Sequence, residues 1–548
     1  MDDIVIPDED LWSFLFERPG GQSDREQAIF VEEVTGRRYS WEDSRRLSLA
    51  FADFLYRHWG WCKGDVLAIV AGNTIDIPCC LWGTLFLGGV ACPLNPEYKE
   101  GELTPLLRRT AAKGIITQAA FYPTVAATAK AAGIPLDRIM VLDDTQSTQH
   151  WMLASEEILC SDRPDRLQDL LAKRQASLPH SGDLAFLMHS SGTTGLPKGV
   201  MLSHRNVIAN LLQTAAVDAV NGPDGPDRTV SLLPFFHIYG ITFLINYTLF
   251  QSWPTYLLPR FQVEAFCDLV ERERITSVYI VPPILKRLLQ SSYATRAKLQ
   301  SVRLLTSGAA PVSKELLQAF DAKFGIPVRQ GYGMTECSPL LYLQTREEAR
   351  THVGTVGRLV PNMRCRIDLE DTSPVPDAQA EEGEIYVSGP NVFMGYWNPP
   401  SHSHASSADS PLTQDNFYPT GDIGYQDPVT GHMVLTGRAK DLIKYSGFQL
   451  APAELEGVVL QHEAVADAAV VGVDTGAGDG SEVPRAYVVL KDQCIDLGGL
   501  EKELQDEIAD FVAKRVSGYK KLRGGVVFVK EIPRNAGGKI LRRVLLDS

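Results

Sequence analysis

Short apolar runs rich in β-branched residues alternate with amphipathic stretches along most of the chain, and this alternation restricts the possible folds most strongly. The apolar runs lie at residues 65–72, 114–118, 184–188, 230–234, 275–283 and 302–308. ILKRLLQ follows the fifth run with a helical pattern, and KELLQAFDAKFG at 314–325 predicts an amphipathic helix that ends at glycine. Strands that alternate with helices are typical of layered α/β folds with largely parallel sheets.

The pattern changes after about residue 353, where GTVGRLV, MRCRIDLE and GEIYVSGP predict a small antiparallel β unit. The segment 398–414 is rich in Ser, Pro and His and predicts a surface loop. From about residue 440 a helix with Pro452 in its first turn, further strands and a helix at 503–516 predict a compact α+β unit. We therefore expect a large N-terminal domain of layered α/β sheets with a β subdomain (1–439) and a small α+β C-terminal domain (440–548).

The composition is that of an ordinary globular protein, with 44% hydrophobic and 22% charged residues among 548. It excludes a mainly disordered chain, a collagen and a coiled coil. The net charge of −14 makes the protein a poor candidate for holding nucleic acid through its overall field, although local phosphate sites remain possible. The most membrane-like stretch, Pro78 to Asn95, is slightly short and contains prolines and glycines. We predict a buried helix running into a buried strand there.

The nine cysteines contain no CxxC pair, so a structural zinc site is not expected. Cys79 and Cys80 lie in an apolar run and are predicted to be core thiols, a usage that fits a reducing compartment. The acidic N-terminus has no basic region before an apolar run, and the last residues do not form a peroxisomal tripeptide. We therefore expect a cytoplasmic protein.

The most informative motif is SSGTTGLPKGV at 190–200, which directly follows a predicted strand. Its hydroxyl groups and glycine amides suit phosphate oxygens, and Lys198 adds a positive charge. It is not a Walker A loop, because Pro197 and Val200 stand five positions after Gly192 and Gly195, where that motif requires glycine. The motif predicts a phosphate-binding loop of another kind.

This loop resembles the nucleotide-phosphate loop of the acyl-adenylate-forming (AMP-binding) superfamily, which includes acyl-CoA synthetases, adenylation domains of peptide synthetases and beetle luciferases. Further motifs follow in that family's order: GYGMTE (331–336), YPTGDIGY (418–425), GRAKDLIKYSGFQLAPAELE (437–456) and PRNAGGKILRR (533–543). The resemblance extends from about residue 30 to the end. LPFFHIYG, SGAAPV and KYSGFQ are most similar to the 4-coumarate–CoA ligase-like subgroup. The resemblance also implies that the C-terminal domain is mobile.

The resemblance implies a nucleotide site with distinct roles for its residues. The loop surrounds the β- and γ-phosphates, Thr335 lies near the α-phosphate, and Glu336 lies near the Mg²⁺ that bridges phosphate oxygens. Asp422 accepts both ribose hydroxyls, a natural use of two carboxylate oxygens, and Arg438 is a second ribose contact. The ATP- and AMP-binding residues implied in this way are Ser190, Ser191, Gly192, Thr193, Thr194, Gly195, Lys198, Gly331, Tyr332, Gly333, Thr335, Asp422 and Arg438.

The resemblance also implies an acyl site and two separate catalytic lysines. His237 lines the acyl site, and its ring moves when CoA enters. Lys539 serves the adenylation step, Lys444 serves the second step, and Lys440 is the hinge about which the C-terminal domain rotates. Together with Thr335 and Glu336, these two lysines and His237 form the implied catalytic set. Further acyl- and CoA-binding positions are Tyr239, Ala309, Pro339, Leu340, Ser446, Gly447 and Gln449.

The sequence thus predicts an ATP-dependent acid–CoA ligase that uses Mg²⁺ and forms acyl-AMP before the thioester. The implied acyl positions are small or aromatic, which suits an aryl, cinnamoyl-type or medium-chain acid. Ser446 departs from plant 4-coumarate ligases, which typically carry lysine there, and a lost cation weakens the expectation of CoA contact. Two alternatives remain open at this point: a stand-alone adenylation enzyme that loads a carrier protein, and a luciferase-like adenylating oxygenase.

Overall fold

The computed structural model describes residues 2–18, 26–143, 164–190, 197–218, 226–368, 382–397, 411–439, 441–445, 448–474, 482–491, 501–516, 518–534 and 539–546. The side chains of residues 164, 444, 448, 449, 519 and 543 are also outside this description. Several predicted positions therefore lie outside the described residues: Ser191, Gly192, Thr193, Thr194, Gly195, Lys440, Ser446, Gly447, the side chains of Lys444 and Gln449, and most of the 398–414 segment.

The strands of the first part are β1 (Ala28–Glu32), β2 (Arg38–Ser40), β3 (Val66–Val70), β4 (Val90–Leu94), β5 (Ala112–Thr117), β6 (Ile139–Val141), β7 (Leu184–Ser190), β8 (Lys198–Ser203), β9 (Thr229–Ser231), β10 (Thr255–Leu257), β11 (Ser277–Ile280), β12 (Leu304–Ser307), β13 (Val328–Gly333), β14 (Leu340–Leu343) and β15 (Arg358–Leu359). The later strands are β16 (Arg364–Asp368), β17 (Gly383–Ser388), β18 (Gly395–Tyr396), β19 (Tyr418–Gln426), β20 (Met433–Arg438), β21 (Ile443–Tyr445), β22 (Phe448–Leu450), β23 (Val465–Asp474), β24 (Glu482–Leu490) and β25 (Val526–Phe528).

The α-helices span Leu11–Phe16, Trp41–Trp59, Asp76–Phe86, Glu100–Thr110, Tyr122–Ala132, Pro164–Ala176, His204–Val217, Ile238–Gly240, Thr248–Gln251, Val263–Glu273, Pro282–Gln290, Lys314–Phe324, Glu348–Thr351, Pro452–Val459, Glu501–Ala513 and Arg542–Leu546. A π-helical segment, Ile241–Tyr247, joins two of them, and short 3₁₀ turns occur at Leu136–Arg138, Thr335–Cys337 and Gly518–Lys520.

Two large sheets form the frame of the N-terminal part. One has seven strands in the order β18-β8-β7-β4-β3-β5-β6, and its strands from β7 to β6 are parallel. The other combines β2-β1-β10-β9 with β11-β12-β13-β14-β15, because the amides of Thr276 and Ser277 donate to the Arg228 carbonyl. The prediction of layered, largely parallel α/β sheets is confirmed.

Several local predictions are also confirmed. The stretch from Pro78 to Asn95 forms a buried helix followed by β4, and Cys79 and Cys80 are fully buried. The helix predicted at 314–325 spans Lys314–Phe324, and Gly325 ends it with φ at +73°, a left-handed conformation that favours glycine. Within the described ranges, every helix is too short or too polar to cross a membrane.

Two predictions need correction. The run at 230–234 forms a strand only as far as Ser231, because Pro234 and the segment leading to His237 turn towards the cleft described below. GTVGRLV does not belong to the antiparallel β unit: β15 instead pairs with β14 in the second large sheet. Gly357 permits this close approach, since its φ is +87° and a Cβ there would lie 2.1 Å from the Leu343 carbonyl carbon.

The antiparallel β unit and the C-terminal part form separate layers. The unit has four strands in the order β16-β17-β19-β20. The C-terminal part has its own hydrophobic core between β23, β24 and two helices, with Ile443, Leu455, Val470 and Ile508 fully or almost fully buried in it. It contacts the N-terminal part through Lys286, whose ammonium group donates to the Ala466 carbonyl at 3.1 Å. The presence of a separate small α+β domain is confirmed, and its boundary at 439/440 stays a prediction.

Candidate active site

A cavity of about 670 Å³ lies where strands of both large sheets end. β4, β7, β12 and β13 contribute residues from their carboxyl ends, where ligands of parallel α/β sheets typically bind. Lys539 and Leu541 of the C-terminal domain complete the lining. The cavity is therefore shared by both parts of the chain, and we refer to it as the cleft.

The carboxylate of Glu336 is held inside the cleft by two hydroxyl groups. Ser190 Oγ at the end of β7 donates to Glu336 Oε1 at 3.3 Å, and Tyr396 Oη on β18 donates to the same oxygen at 3.1 Å. Tyr396 also pairs with Tyr418 Oη at 3.1 Å, and Lys198 Nζ lies 4.8 Å from the centre of its ring. The carboxylate thus has a fixed position between the start of the phosphate loop and the 3₁₀ turn that carries Thr335.

Asp422 lies beside the cleft in a buried hydrogen-bonding arrangement. β19 and β20 pair so that Asp422 and Arg438 are directly opposite, and Arg438 Nε donates to Asp422 Oδ1 at 2.8 Å. Tyr332 Oη donates to the other oxygen, Oδ2, at 2.6 Å. Burial raises the pKa of Asp422 above its ordinary value, and Arg438 opposes that shift. The carboxylate accepts one bond at each oxygen, and its remaining lone pairs are available for a further donor.

Lys539 reaches the cleft from the C-terminal domain. It lines the cavity together with Arg438 and Asp441. Burial and the positive charge of Arg438 lower the pKa of Lys539, while Asp441 and Asp422 act in the opposite direction. A partly desolvated ammonium group near several charged groups is suited to stabilising anionic oxygens that enter the cleft.

His237 stands at the wall between the cleft and a second cavity of about 220 Å³. Its Nδ1 accepts a hydrogen bond from the Tyr239 amide at 3.2 Å and caps the short helix Ile238–Gly240, so Nε2 carries the proton. Burial lowers the pKa of His237 to about 4, and the ring is therefore neutral near pH 7. Phe236, Tyr239 and Ala309 also line both cavities.

The described residues that the sequence analysis singled out converge on this one cleft. Those that line it are Ser190, Lys198, His237, Tyr239, Ala309, Gly331, Tyr332, Gly333, Thr335, Glu336, Pro339, Leu340, Arg438 and Lys539. Asp422 does not line it directly but is bonded to Tyr332 and Arg438, which do. The backbone of Lys444 pairs with that of Gln449 in the β21–β22 hairpin. The roles of all these predicted site residues stay predictions, since the position of a residue alone does not assign its role.

Sequence reasoning missed two kinds of residue in the cleft. Tyr396 donates to Glu336 and pairs with Tyr418, which opens the YPTGDIGY motif, whereas Tyr396 lies in none of the motifs that the sequence analysis recognised. Arg329 lines the inner end of the cleft although it is almost completely buried. A charged residue inside the otherwise strand-like VRQGYG was the signal for Arg329, because charged side chains are rarely buried without a partner.

Comparisons with known proteins cover almost the whole chain. The family model for the AMP-binding enzyme matches residues 15–397, and the model for the AMP-binding enzyme C-terminal domain matches residues 454–539. The chain is 34% identical to "Probable 4-coumarate–CoA ligase 2" from Dictyostelium discoideum, over 99% of this chain and 96% of that protein. It is 35% identical to the phenylacetyl-CoA ligase epaB of Aspergillus niger, over 99% of this chain and 97% of that one.

Solved structures share the same architecture. The crystal structure of ATP-bound MatB from Rhodopseudomonas palustris matches with a TM-score of 0.81 and 27% sequence identity, and the match covers 99% of both chains. The likeness includes the C-terminal domain, because almost the whole of each chain is covered.

Proposed function

Because the chain belongs to the AMP-binding enzyme family, we propose that its cleft binds ATP beside an aryl, cinnamoyl-type or medium-chain carboxylic acid. The full-length likeness to acyl-CoA ligases makes the protein an ATP-dependent acid–CoA ligase, an acid–thiol ligase that forms AMP and pyrophosphate. The acid itself and the roles of individual residues are our proposals. The likeness favours this function over the carrier-loading and luciferase-like alternatives.

In the first step, an oxygen of the acid carboxylate attacks the α-phosphorus of ATP. The new O–P bond forms while the bond from that phosphorus to the bridging oxygen of pyrophosphate breaks, and acyl-AMP remains bound. Both reactants are anionic, so positioning and charge neutralisation are the main tasks of the protein. Lys539 neutralises charge on the carboxylate and α-phosphate oxygens, Thr335 binds the α-phosphate, and Asp422 with Arg438 holds the ribose. Lys198 and the 190–196 segment bind the outer phosphates.

In the second step, the thiol of CoA attacks the acyl carbon. The C–S bond forms, the bond from the acyl carbon to the AMP oxygen breaks, AMP leaves with that electron pair, and the thiol proton passes to solvent. The C-terminal domain rotates about Lys440 before this step, which removes Lys539 and brings Lys444 to the cleft. The second cavity is our candidate route for the thiol arm of CoA. The two cavities share four lining residues, one of which is His237, so only this wall separates the second cavity from the cleft. Gly447, Gln449 and Ser446 contact CoA in this arrangement.

Mg²⁺ fits the chemistry of this site. Within the described ranges, no cluster of three or more His, Cys, Asp or Glu side chains could hold a metal. Mg²⁺ is typically held by one or two carboxylates together with substrate phosphates, and Glu336 is a positioned carboxylate next to the phosphate loop. When bound, the ion supplies charge neutralisation at the phosphate oxygens. Ser190 and Tyr396 orient the Glu336 carboxylate for it.

Changing Tyr396 to phenylalanine is expected to raise the Mg²⁺ concentration needed for half-maximal pyrophosphate release about 10-fold. The change removes the hydroxyl that donates to Glu336 Oε1 and leaves Ser190 to orient the carboxylate. Tyr418→Phe is the matched control, because the Tyr418 hydroxyl contacts Tyr396 but not Glu336, and a smaller shift is expected. Equal Mg²⁺ dependence in wild type and Tyr396→Phe would contradict the role of Tyr396.

The proposed acid class rests on which residues line the inner half of the cleft. Tyr239, Phe243 and Leu340 provide apolar surface there, whereas Gly308 and Gly331 leave space. Such a cavity suits a flat ring or an alkyl chain. The relatives named after 4-coumarate and phenylacetate are consistent with an aryl acid.

The test is pyrophosphate release with a panel of acids, measured with and without CoA and accompanied by detection of the thioester. A CoA ligase releases pyrophosphate when a suitable acid is supplied. It converts that acid to acyl-CoA only when CoA is present. Thioester formation on a carrier protein but not on CoA would favour the carrier-loading alternative, and O₂ consumption would favour the oxygenase. Absence of pyrophosphate release with all aryl and medium-chain acids would refute the proposed acid class.

A further inference from the structure

Lys286 of the N-terminal domain is bonded to the C-terminal domain at a β-bulge. The register between β23 and β24 shifts between Val465 and Asp467, and Ala466 is the extra residue of this bulge. Lys286 Nζ donates to the Ala466 carbonyl oxygen at 3.1 Å and to Asp467 Oδ1 at 3.2 Å. Two of the three N–H donors of a single ammonium group are therefore used in bonds between the two domains.

Asp467 also connects this contact to the segment that carries Lys539. Each carboxylate oxygen of Asp467 accepts from Arg534 Nη2 at 3.1 Å. Arg534 in turn pairs with Ile540 in an isolated antiparallel bridge, and Lys539 directly precedes Ile540 in the chain. The bonds of Asp467 thus extend from the N-terminal domain to the backbone beside Lys539.

A second anchor ties the same segment to β23. Arg542 lies three residues after Lys539. It donates through Nη2 to Glu456 Oε1 at 2.7 Å and through Nε to the Val470 carbonyl at 3.2 Å. Asp467 and Val470 both belong to β23, so the residues on either side of Lys539 are fixed to one strand. The position of β23 against the N-terminal domain therefore decides whether Lys539 lies in the cleft.

We propose that Lys286 is a positioning residue for acyl-AMP formation, because its bonds to the β-bulge hold the C-terminal domain where Lys539 lies in the cleft. The inference rests on the proposed function, and in particular on the role of Lys539 in the first step. Since Asp467 and Lys539 are tied to the same strand, a rotation that withdraws Lys539 also breaks the bonds of Lys286. The Lys286 contact is thus made in the first half-reaction and broken before the second.

The Lys286 contact is of a strength that permits this movement. The side chains of Lys286 and Asp467 are 36% and 25% exposed, so solvent screens their charges. Ion pairs of this kind are worth up to about 5-fold in an equilibrium constant. That factor shifts the balance between two domain arrangements, yet it leaves the domain free to rotate once acyl-AMP has formed.

Removal of the Lys286 ammonium group is the direct test, with each half-reaction measured in single turnover. Lys286→Met is expected to slow acyl-AMP formation about 5-fold and to leave thioester formation from synthetic acyl-AMP and CoA unchanged or faster. Lys286→Arg keeps the charge and should retain most of the rate of the first step. Lys298→Met is the matched control with no expected change, because Lys298 pairs with Asp268 at 2.6 Å and Glu271 at 3.1 Å inside the N-terminal domain. An unchanged first half-reaction in Lys286→Met, or equal slowing of both half-reactions, overturns the proposal.

A double variant tests whether Lys286 acts through Lys539. Lys286→Met combined with Lys539→Ala is expected to form acyl-AMP at nearly the rate of Lys539→Ala alone, because a positioning residue has no effect once the group that it positions is gone. A further loss of about 5-fold in the double variant refutes the positioning role. Absence of pyrophosphate release by the wild-type enzyme with every acid refutes the proposed function itself, and this inference with it.

Discussion

Lys539→Ala is expected to slow acyl-AMP formation by about 10²–10³-fold, the usual consequence of removing one preorganised charge contact from a transition state. Lys539 lines the cleft together with Arg438 and Asp441, where we propose that the carboxylate and the α-phosphate meet. The same variant should still convert synthetic acyl-AMP and CoA to the thioester at a substantial rate, because in the proposed mechanism Lys539 leaves the cleft before that step. Single-turnover assays of the two half-reactions measure both quantities.

Lys444→Ala is expected to impair the half-reaction that Lys539→Ala leaves intact. Lys502→Ala is the control variant, for which we expect no change in either half-reaction. Lys444 lies on β21, and we expect its loss to leave acyl-AMP formation intact while the bound intermediate is consumed slowly. Lys502 is 74% exposed on a helix of the same domain and pairs with Asp506, so its removal tests the general effect of losing a lysine. If Lys539→Ala and Lys444→Ala impair the same half-reaction, the two-conformation mechanism does not apply to this protein.

The sequence was sufficient to predict the frame of the fold because its signals are local. Apolar runs of strand length mark β3, β5, β7, β11 and β12, and glycine ends the helix Lys314–Phe324 as the pattern indicated. The motifs were sufficient to predict which residues meet, since Ser190, Glu336 and Lys539 are far apart in sequence but share one cleft. That prediction came from resemblance, because periodicity carries no information about contacts between distant segments.

The structural features that the sequence did not predict depend on contacts between segments that are far apart in the chain. Tyr396 reaches Glu336 because the two-residue strand β18 pairs with β8, and so short a strand has no periodic signal. Arg329 finds its partner Asp218 in a helix cap 111 residues earlier in the chain. The π-helical segment Ile241–Tyr247 is buried on every side, so its sequence shows no amphipathic pattern. Packing between elements decides each of these features.

Asp422→Asn is the second change with a large expected effect, a fall in kcat/KM for ATP of roughly 30- to 1000-fold, or about 2–4 kcal/mol. Asparagine keeps the shape of the side chain, but one acceptor oxygen becomes an NH₂ donor. That group then opposes the Tyr332 hydroxyl or Arg438 Nε, which both donate to Asp422. If Asp422 binds the ribose as proposed, the ribose hydroxyls lose an acceptor in a buried site, and the loss should appear mainly as a raised KM for ATP.

Deoxynucleotides distinguish loss of the ribose contact from a general loss of structure. Wild-type enzyme should use 2′-deoxy-ATP or 3′-deoxy-ATP less well than ATP, because each lacks one of the hydroxyls from which we propose that Asp422 accepts a hydrogen bond. Asp422→Asn should discriminate much less, since the acceptor is already missing, and this non-additivity is the signature of a direct interaction. Tyr332→Phe keeps the carboxylate and should retain the discrimination. If Asp422→Asn discriminates between ATP and its deoxy analogues as strongly as wild type, Asp422 does not bind the ribose, and its bonds to Tyr332 and Arg438 serve only to hold β19 and β20 together.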